Sequence, residues 1–314
     1  MRKTLRLIGL AALVALVLWG TVRGERRLKI GFSQMENNNP WRINETNDIR
    51  AEAARRGYEL VYTDAHEQTQ QQVADVLYLI QEKVDYIILA PREYGVFGAA
   101  FRAAKKARIP VILVDRDAAG KPGADYITLI SSDFIQEGER AAQWLVRKCN
   151  GRANIVELSG TAGSSVARDR AIGFRKGIAG YPRMRIIASQ NAEFMRIPGQ
   201  KVMEGIIQAK GSQISAVFAH NDEMAIGAIQ ALKAAGMIPG ADVVLVSVDG
   251  EQDALKAIIA GELGATVECN PHFGKITFDV VERHRRGERI PTHIINPDRF
   301  FDSHNAKDFV NESY

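Results

Sequence analysis

Residues able to bind hydroxyl groups recur just beyond the apolar runs of this sequence. They are carboxylic acids that accept hydrogen bonds, arginines that donate through a rigid fork, an asparagine that does both, and two aromatic residues. A sugar presents hydroxyls that donate and accept, and its ring has apolar C–H faces that pack on aromatic side chains. These residue types therefore indicate a pocket for a sugar. The candidates lie within residues 34–41 and 164–170 and at Asp115, Arg116, Glu193, Phe194, Asn221, Asp249 and Glu268.

The elements that position these residues follow from an alternation of short apolar runs with helical patterns. The alternation extends from Leu28 to about Arg286 and is typical of βαβ units with parallel sheets. Ligands of such sheets bind beyond the carboxyl ends of the strands, which is where the candidates lie. We predict strands over residues 28–33, 58–62, 86–90, 111–115, 126–130, 154–159, 184–190, 216–219, 243–248 and 265–269.

The eighth strand end is the most informative one. Residues 217–219 are apolar, which predicts a buried strand, and helical spacing resumes at Met224. Asp222 is the predicted N-cap of that helix, which leaves Asn221 available to a ligand. His220 is expected to lie beside the pocket without contacting the ligand.

The strand ends also contain a coarse repeat. Asp115 and Arg116 end the fourth predicted strand, and Asp249 and Gly250 end the ninth at a comparable place in the second half. Two similar α/β lobes account for this repeat, and each lobe then presents its strand ends to a shared cleft. Clefts between domains are favoured binding places.

The N-terminal segment, residues 1–27, has the pattern of a secretory signal. Arg2, Lys3 and Arg6 precede an uncharged apolar stretch over residues 7–22. A stretch of 16 residues is shorter than the roughly 20 that span a bilayer as a helix, so an export signal is favoured over a permanent anchor. We therefore expect a periplasmic protein, which is membrane-tethered if the segment is retained.

Charge and cysteine content narrow the function classes. Six of the 41 basic residues and one of the 37 acidic residues precede Leu28, which leaves 35 against 36 in the rest of the chain. A nearly neutral body lacks the basic excess of a nucleic-acid-binding protein. Cys149 and Cys269 are the two cysteines, and we expect free thiols, with a disulfide as the alternative in an oxidising compartment.

From Lys29 to about Ile295 the chain resembles the periplasmic sugar-binding proteins of the ribose and galactose-binding (type I) family, which serve ABC importers. Within this family it is most similar to the galactofuranose-binding proteins. Those proteins share three patterns: P/G-W-R-x-x-E-T at residues 40–46, V-E-L-x-G-T-x-G-x-S-V-A-x-D-R at residues 156–170 and A-H-N-D-x-M-x-I-G-A-I-Q-A at residues 219–231. Segments shared with the wider family are KIGFSQ at residues 29–34, VDR at 114–116, ARDRAIGF at 167–174, FAHNDEMAIGA at 218–228 and SVDG at 247–250.

The resemblance implies roles for individual residues. Trp41 would stack on one face of the sugar and Phe194 on the other, while Arg42 and Glu45 would bind hydroxyls. Cys269 stands where ribose binders have a glutamine, which argues against ribose, and Glu268 is the alternative acceptor. Residues 37–40 form a bulkier entrance than the Gly-Ser segment of the furanose binders. The remaining polar contacts would come from Asp115, Arg116, Arg170, Asn221 and Asp249.

The resemblance also implies the architecture, two Rossmann-like lobes with parallel sheets joined by a three-segment hinge with crossings near Ile130, Asn270 and Ile294. We assign residues 28–130 and 270–293 to the first lobe, and residues 131–269 and 294–314 to the second. The lobes would close on a monosaccharide without chemistry, and an ABC permease with its ATPase would receive the sugar. We expect a monomer without a cofactor. We also expect no metal site, since none of the six histidines pairs with another at i, i+4.

Other functions use the same fold or the same residue types. A sensor would present the closed protein to a receptor kinase or a chemoreceptor. A glycosidase would need an acid and a base, yet Arg116 and Arg170 would hold nearby carboxylates ionised. A sugar-responsive repressor would carry a helix-turn-helix before Lys29, where this chain has an apolar segment. Residues 160–165 are glycine- and serine-rich, but they lack the following lysine of a phosphate-binding loop.

Overall fold

The computed structural model describes residues 26–314. The export signal predicted within residues 1–27 therefore lies outside the described residues, except for Arg26 and Arg27. Among the described residues, no helix combines the length and the apolar composition that a membrane crossing requires.

The first lobe is a parallel six-stranded sheet flanked by helices. Its elements are β1 (Lys29–Gln34), α1 (Pro40–Arg55), β2 (Glu59–Asp64), α2 (Thr69–Gln81), β3 (Tyr86–Leu89), α3 (Gly98–Ala107), β4 (Val111–Val114), β5 (Leu129–Ser131), α9 (Gly274–Arg285) and β11 (His293–Ile295). The sheet order is β11-β5-β4-β3-β1-β2, and every neighbouring pair is parallel.

The second lobe repeats this design with one antiparallel edge strand. Its elements are α4 (Phe134–Lys148), β6 (Arg152–Ser159), α5 (Ser165–Ile178), β7 (Arg183–Asn191), α6 (Arg196–Lys210), β8 (Ala216–Ala219), α7 (Asp222–Ala234), β9 (Val244–Asp249), α8 (Gln252–Ile259), β10 (Ala265–Glu268), β12 (Phe300–Asp302) and α10 (Ala306–Phe309). The sheet order is β12-β10-β9-β8-β6-β7, and within this sheet only the β10–β12 pair is antiparallel.

The predicted fold class, two parallel-sheet α/β lobes, is confirmed. All ten predicted strands are present, because strands such as β3, β4 and β8 are buried on both faces and read as continuous apolar runs. Glycines just past predicted helix ends adopt left-handed φ angles of +72° at Gly57 and +78° at Gly261, as C-terminal caps do. The three-residue strands β11 and β12 were not predicted, since neither has a clear apolar pattern.

The chain passes between the two sheets three times, after β5, after β10 and after β11. The third passage follows Ile295, because Ile294 pairs with Ile130 in the first sheet. Asp298 connects all three passages: its Oδ1 accepts from Ser132 Oγ and from Asn270 N, both at 2.9 Å. Burial raises the pKa of Asp298 to about 8. The lobe limits given above remain a prediction.

Candidate functional site

A pocket lies between the lobes, beyond the carboxyl ends of the strands. The first lobe contributes Glu36, Asn39, Trp41, Arg42, Asp115 and Arg116 to its lining. The second lobe contributes Val166, Arg170, Phe194, Asn221, Asp249 and Cys269. Eight of the ten site residues predicted above are thus brought together here, and Glu45 and Glu268 are not.

Arg42 connects two carboxylates of the first lobe. Its Nη1 donates to Glu45 Oε2 at 2.8 Å and its Nη2 to Asp115 Oδ2, while its guanidinium lies 4.6 Å from the centroid of Trp41. Glu45 also accepts from Gln34 Nε2 at 2.9 Å. Burial raises the pKa of Glu45 to about 7, against the opposing effect of Arg42. Glu45 therefore holds the Arg42 guanidinium in place through a hydrogen bond and does not itself line the pocket.

Arg116 brings a free N–H group into the pocket. Its Nη1 donates to the carbonyl of Arg92 at 3.0 Å, but its Nε has no hydrogen-bond partner among residues 26–314 and lies 3.6 Å from Asp115 Oδ2. The guanidinium lies 5.4 Å from the ring centroid of Phe194. Burial, followed by the nearby Arg42, lowers the pKa of Arg116 to about 10. Arg116 therefore remains a cation at neutral pH and has one buried N–H group without a partner among the described residues.

Arg170 is the corresponding cation of the second lobe. Its Nε donates to Glu137 Oε2 at 2.7 Å, its Nη1 to the His220 carbonyl at 2.5 Å and its Nη2 to Asp249 Oδ1 at 3.3 Å. Three partners fix the guanidinium in a fully buried position. The His220 ring lies behind the pocket, as we predicted, with its Nε2 3.2 Å from Glu157 Oε1.

The two aromatic rings come from opposite lobes. Trp41, on α1, donates from Nε1 to the carbonyl of Cys269 at 2.7 Å. Phe194 follows β7 and lies directly over Gly160, where an added Cβ would be 1.8 Å from its Cζ. Gly160 thus leaves the space that the Phe194 ring occupies. A flat sugar ring between these lobes can contact both aromatic side chains.

Three pocket residues have backbone conformations that are uncommon outside glycine. The φ angles are +60° at Asp115, +61° at Phe194 and +133° at Asp249. Such conformations cost about 1–3 kcal/mol each and persist where the surroundings fix them, often at binding sites. At Asp115 the turn is held by a 2.7 Å hydrogen bond from Arg116 N to the Val114 carbonyl.

The helix start at α7 differs from the prediction. Asn221 is the N-cap, since its Oδ1 accepts from Met224 N at 3.0 Å, and its Nδ2 donates to the Phe194 carbonyl at 3.0 Å. The prediction of Asp222 as the cap is wrong. Asp222 is the first helical residue, and its carboxylate points into the lobe, where it accepts from Thr266 Oγ1 at 2.7 Å. Asn221 therefore combines a structural role with a place in the pocket.

Glu268 lies outside the pocket although it ends a strand. Its carboxylate accepts hydrogen bonds from Arg299 Nη2 at 2.7 Å and from Arg299 N at 2.7 Å. Cys269, the next residue, lines the pocket instead and is buried. Both Cys149 and Cys269 are free thiols.

Four lining residues were absent from the predicted set: Glu36, Asn39, Val166 and Cys269. A signal for Asn39 exists in the sequence, because it precedes Pro40 at a helix start. Its Oδ1 caps α1 by accepting from Arg42 N at 2.9 Å. Glu36 lies in the segment that we singled out after the first strand, but no pattern distinguishes it from its neighbours.

The charged side chains that line the pocket are balanced in number. Asp115 and Asp249 are each bonded to an arginine. Burial raises the pKa of Asp249 well above its ordinary value in spite of Arg170, whereas the sequence led us to expect ionised carboxylates here. Side chains that are paired in this way as donors and acceptors suit an uncharged ligand, whose hydroxyls both donate and accept. The arginines are Arg42, Arg116 and Arg170, and the carboxylic acids are Glu36, Asp115 and Asp249.

Contacts across the mouth of the pocket show a closed cleft. Tyr94 N donates to the Gly163 carbonyl at 3.2 Å, and Asp117 N donates to Ser165 Oγ at 3.0 Å. The guanidinium of Arg168 lies 5.2 Å from the ring centroid of Tyr94. Each of these contacts joins the first lobe to the second, so the contacts are expected to form and break with closure.

Comparisons with known proteins agree with this arrangement. The galactofuranose-binding protein YtfQ of Escherichia coli is 40% identical over 267 residues, which cover 84% of each chain. The binding component of an arabinose ABC transporter from Shewanella, bound to L-arabinofuranose, superposes with a TM-score of 0.88 at 39% identity, covering 90% of this chain and 95% of that one. A Mycobacterium smegmatis protein in complex with β-D-fucofuranose gives 0.87 at 37% identity, covering 90% and 94%.

The family match extends over most of the sequence. A family model described as the periplasmic binding protein domain matches residues 30–289. That range includes both sheets except for β11 and β12, and all twelve residues that line the pocket. This chain belongs to the periplasmic binding protein family.

Proposed function

We propose that this protein captures an uncharged monosaccharide in its furanose form between the two lobes and delivers it to an ABC importer. The similar proteins named above are described as binding galactofuranose, L-arabinofuranose and β-D-fucofuranose. Family members are sugar-binding proteins, and this chain is a binding protein, not an enzyme. Galactofuranose is the sugar that we propose first.

The observation that carries the proposal is the composition of the pocket lining. Balanced arginines and carboxylic acids supply fixed donors and acceptors, and an aromatic ring from each lobe supplies the apolar contact. Hydroxyls on adjacent ring carbons match a donor beside an acceptor, as at Arg42 and Asp115 or at Arg170 and Asp249.

Closure follows from contacts that only the closed form completes. In an open form the sugar meets the residues of one lobe, and closing adds Arg170, Asn221 and Asp249 from the other. By linkage, the ligand shifts the equilibrium only by its differential affinity for the closed form. The contacts between Asp117 and Ser165 and between Tyr94 and Arg168 add to closure without touching the pocket.

The location and partners belong to the same proposal. Export through the N-terminal segment, residues 1–27, would place the protein in the periplasm, where its family members act. A permease and its ATPase would take up the sugar from the closed protein. We propose a monomer, since the two lobes together enclose the pocket within one chain.

Calorimetric titration with D-galactose, L-arabinose and D-galacturonate tests the proposal. We expect both neutral sugars to bind and the uronate to bind at least about tenfold more weakly, because its carboxylate is a charge that loses its hydration in the closed cleft. Asp115→Asn and Asp249→Asn, one in each lobe, should each weaken binding by roughly tenfold. Asp117→Asn is the matched control, since Asp117 does not line the pocket and contacts Ser165 through its backbone N–H, which the substitution keeps. Absence of binding by every neutral sugar would contradict the proposal.

A further inference from the structure

Asp249 lines the pocket from the end of β9, in a turn whose backbone is strained. Its φ angle is +133°, and Gly250 follows with a φ angle of +81°. A residue with a side chain adopts such a conformation at a cost in free energy, and the conformation persists only where the surrounding structure holds it. The position of the Asp249 side chain in the pocket therefore depends on the groups that fix this turn.

The backbone of this turn is bonded to a segment that is distant in the sequence. Glu251 N donates to Asp222 Oδ2 at 2.7 Å within the second lobe. The Asp249 carbonyl accepts from Cys269 N at 3.1 Å and from the hydroxyl of Tyr314 at 3.3 Å. Tyr314 lies beyond α10, and its hydroxyl thus reaches the backbone of a pocket residue.

Other contacts hold Tyr314 at this place. Its carbonyl accepts from Gln252 N at 2.7 Å, and Gln252 Nε2 donates to the Val310 carbonyl at 3.1 Å. The Tyr314 ring packs against the hydrophobic core. Residues 310–314 are therefore anchored at the start of α8 without the hydroxyl, so the hydroxyl can be removed while the segment stays in place.

We propose that Tyr314 is a positioning residue of the sugar site, whose hydroxyl holds the Asp249 backbone so that the Asp249 carboxyl group stays bonded to Arg170 and within reach of the ligand. Asp249 Oδ1 accepts from Arg170 Nη2 at 3.3 Å. This hydrogen bond is already long, so a small shift of the backbone would break it. Tyr314 does not line the pocket and therefore acts on the sugar through Asp249. This inference rests on the proposed function and adds a residue outside the pocket on which affinity depends.

Tyr314→Phe removes the hydroxyl and keeps the ring. Calorimetry with D-galactose and L-arabinose should show an affinity about fivefold lower than that of the wild type, within the range that one hydrogen bond contributes. Tyr86→Phe is the matched control, because the buried Tyr86 hydroxyl is bonded to His284 Nδ1 at 2.8 Å outside the pocket. Both variants should lower the melting temperature slightly, since each loses one internal hydrogen bond, but only Tyr314→Phe should lose affinity. An unchanged affinity in Tyr314→Phe would overturn the inference.

A double-mutant cycle separates positioning of Asp249 from a general structural effect. In an Asp249→Ala background, Tyr314→Phe should change sugar affinity by less than about twofold, because the group that the hydroxyl positions is gone. In an Asp115→Ala background, which alters the first lobe, the loss of about fivefold should persist. Equal losses in the two backgrounds would overturn the role of Tyr314 and leave the proposed function standing. If neither sugar binds to the wild-type protein, the proposed function itself fails, and the inference fails with it.

Discussion

Replacing Arg170 with methionine removes the cation that joins two buried carboxylic acids of the second lobe. The guanidinium donates to Glu137 at 2.7 Å and to Asp249 at 3.3 Å, and all three side chains are buried. Methionine has a similar length and none of the donors. Removing one partner of a buried ion pair leaves the other uncompensated, which costs about 3–5 kcal/mol of unfolding free energy. We expect a loss of this size at pH 8.

The loss should depend on pH in a defined direction. Burial already raises the pKa of both Glu137 and Asp249, and Arg170 opposes that effect. Without Arg170 both pKa values rise further above those of the unfolded chain, near 4. A carboxyl group whose pKa is higher in the folded protein than in the unfolded chain lowers the free energy of unfolding. This loss is complete above the pKa of the folded state and disappears as pH falls towards the pKa of the unfolded chain. The difference between variant and wild type should therefore shrink by about 1–2 kcal/mol between pH 8 and pH 5.

Urea unfolding followed by tryptophan fluorescence at both pH values measures this difference. Arg168→Met is the matched control on the same helix, since the Arg168 side chain is 48% exposed and pairs with its neighbour Asp169. We expect the control to change the unfolding free energy by about 0.5 kcal/mol or less. An Arg170→Met loss as small as that of the control, or one that is equal at pH 5 and pH 8, would refute the reasoning.

Three further predictions concern the pocket. Gly160→Ala should displace the Phe194 ring, whose Cζ lies 1.8 Å from the added Cβ. Calorimetry should then show sugar binding weakened by about tenfold or more, and an unchanged affinity would show that the Phe194 ring does not contribute to sugar binding. Asn221→Asp keeps the oxygen that caps α7 but loses the Nδ2 donor. Its melting temperature should therefore fall together with its sugar affinity, because the new carboxylate oxygen faces the Phe194 carbonyl, and an unchanged sugar affinity would assign Asn221 to the cap and the Phe194 contact alone. Burial holds the pKa of Cys269 well above its ordinary value, so a thiol reagent at pH 7.5 should modify Cys149 much faster than Cys269, which lines the closed pocket.

The sequence predicted the fold because its strands are buried on both faces. Continuous apolar runs such as those of β3 and β4 are easily distinguished from the helical patterns on either side of them. β11 and β12 have three residues each and are stabilised by pairing with distant strands, β5 and β10. No local pattern encodes such pairing, so these strands appear only in the structure.

Position at a strand end predicted most of the pocket but not the direction of each side chain. Glu268 turns to Arg299, which belongs to a distant segment and could not be paired with it from the sequence. Glu45 lies one helical turn after Arg42 and contacts that side chain instead of the pocket. The positive φ angles at Asp115 and Asp249 are likewise invisible in the sequence, because neither residue is a glycine. Side-chain direction depends on tertiary contacts that spacing does not reveal.

A crystal structure of the protein grown with D-galactose tests the central claim most directly. We expect a five-membered sugar ring between Trp41 and Phe194, with ring hydroxyls bonded to Asp115 in the first lobe and to Arg170 or Asp249 in the second. A sugar bound outside this pocket, or bound as a six-membered ring that contacts one lobe only, would contradict the account.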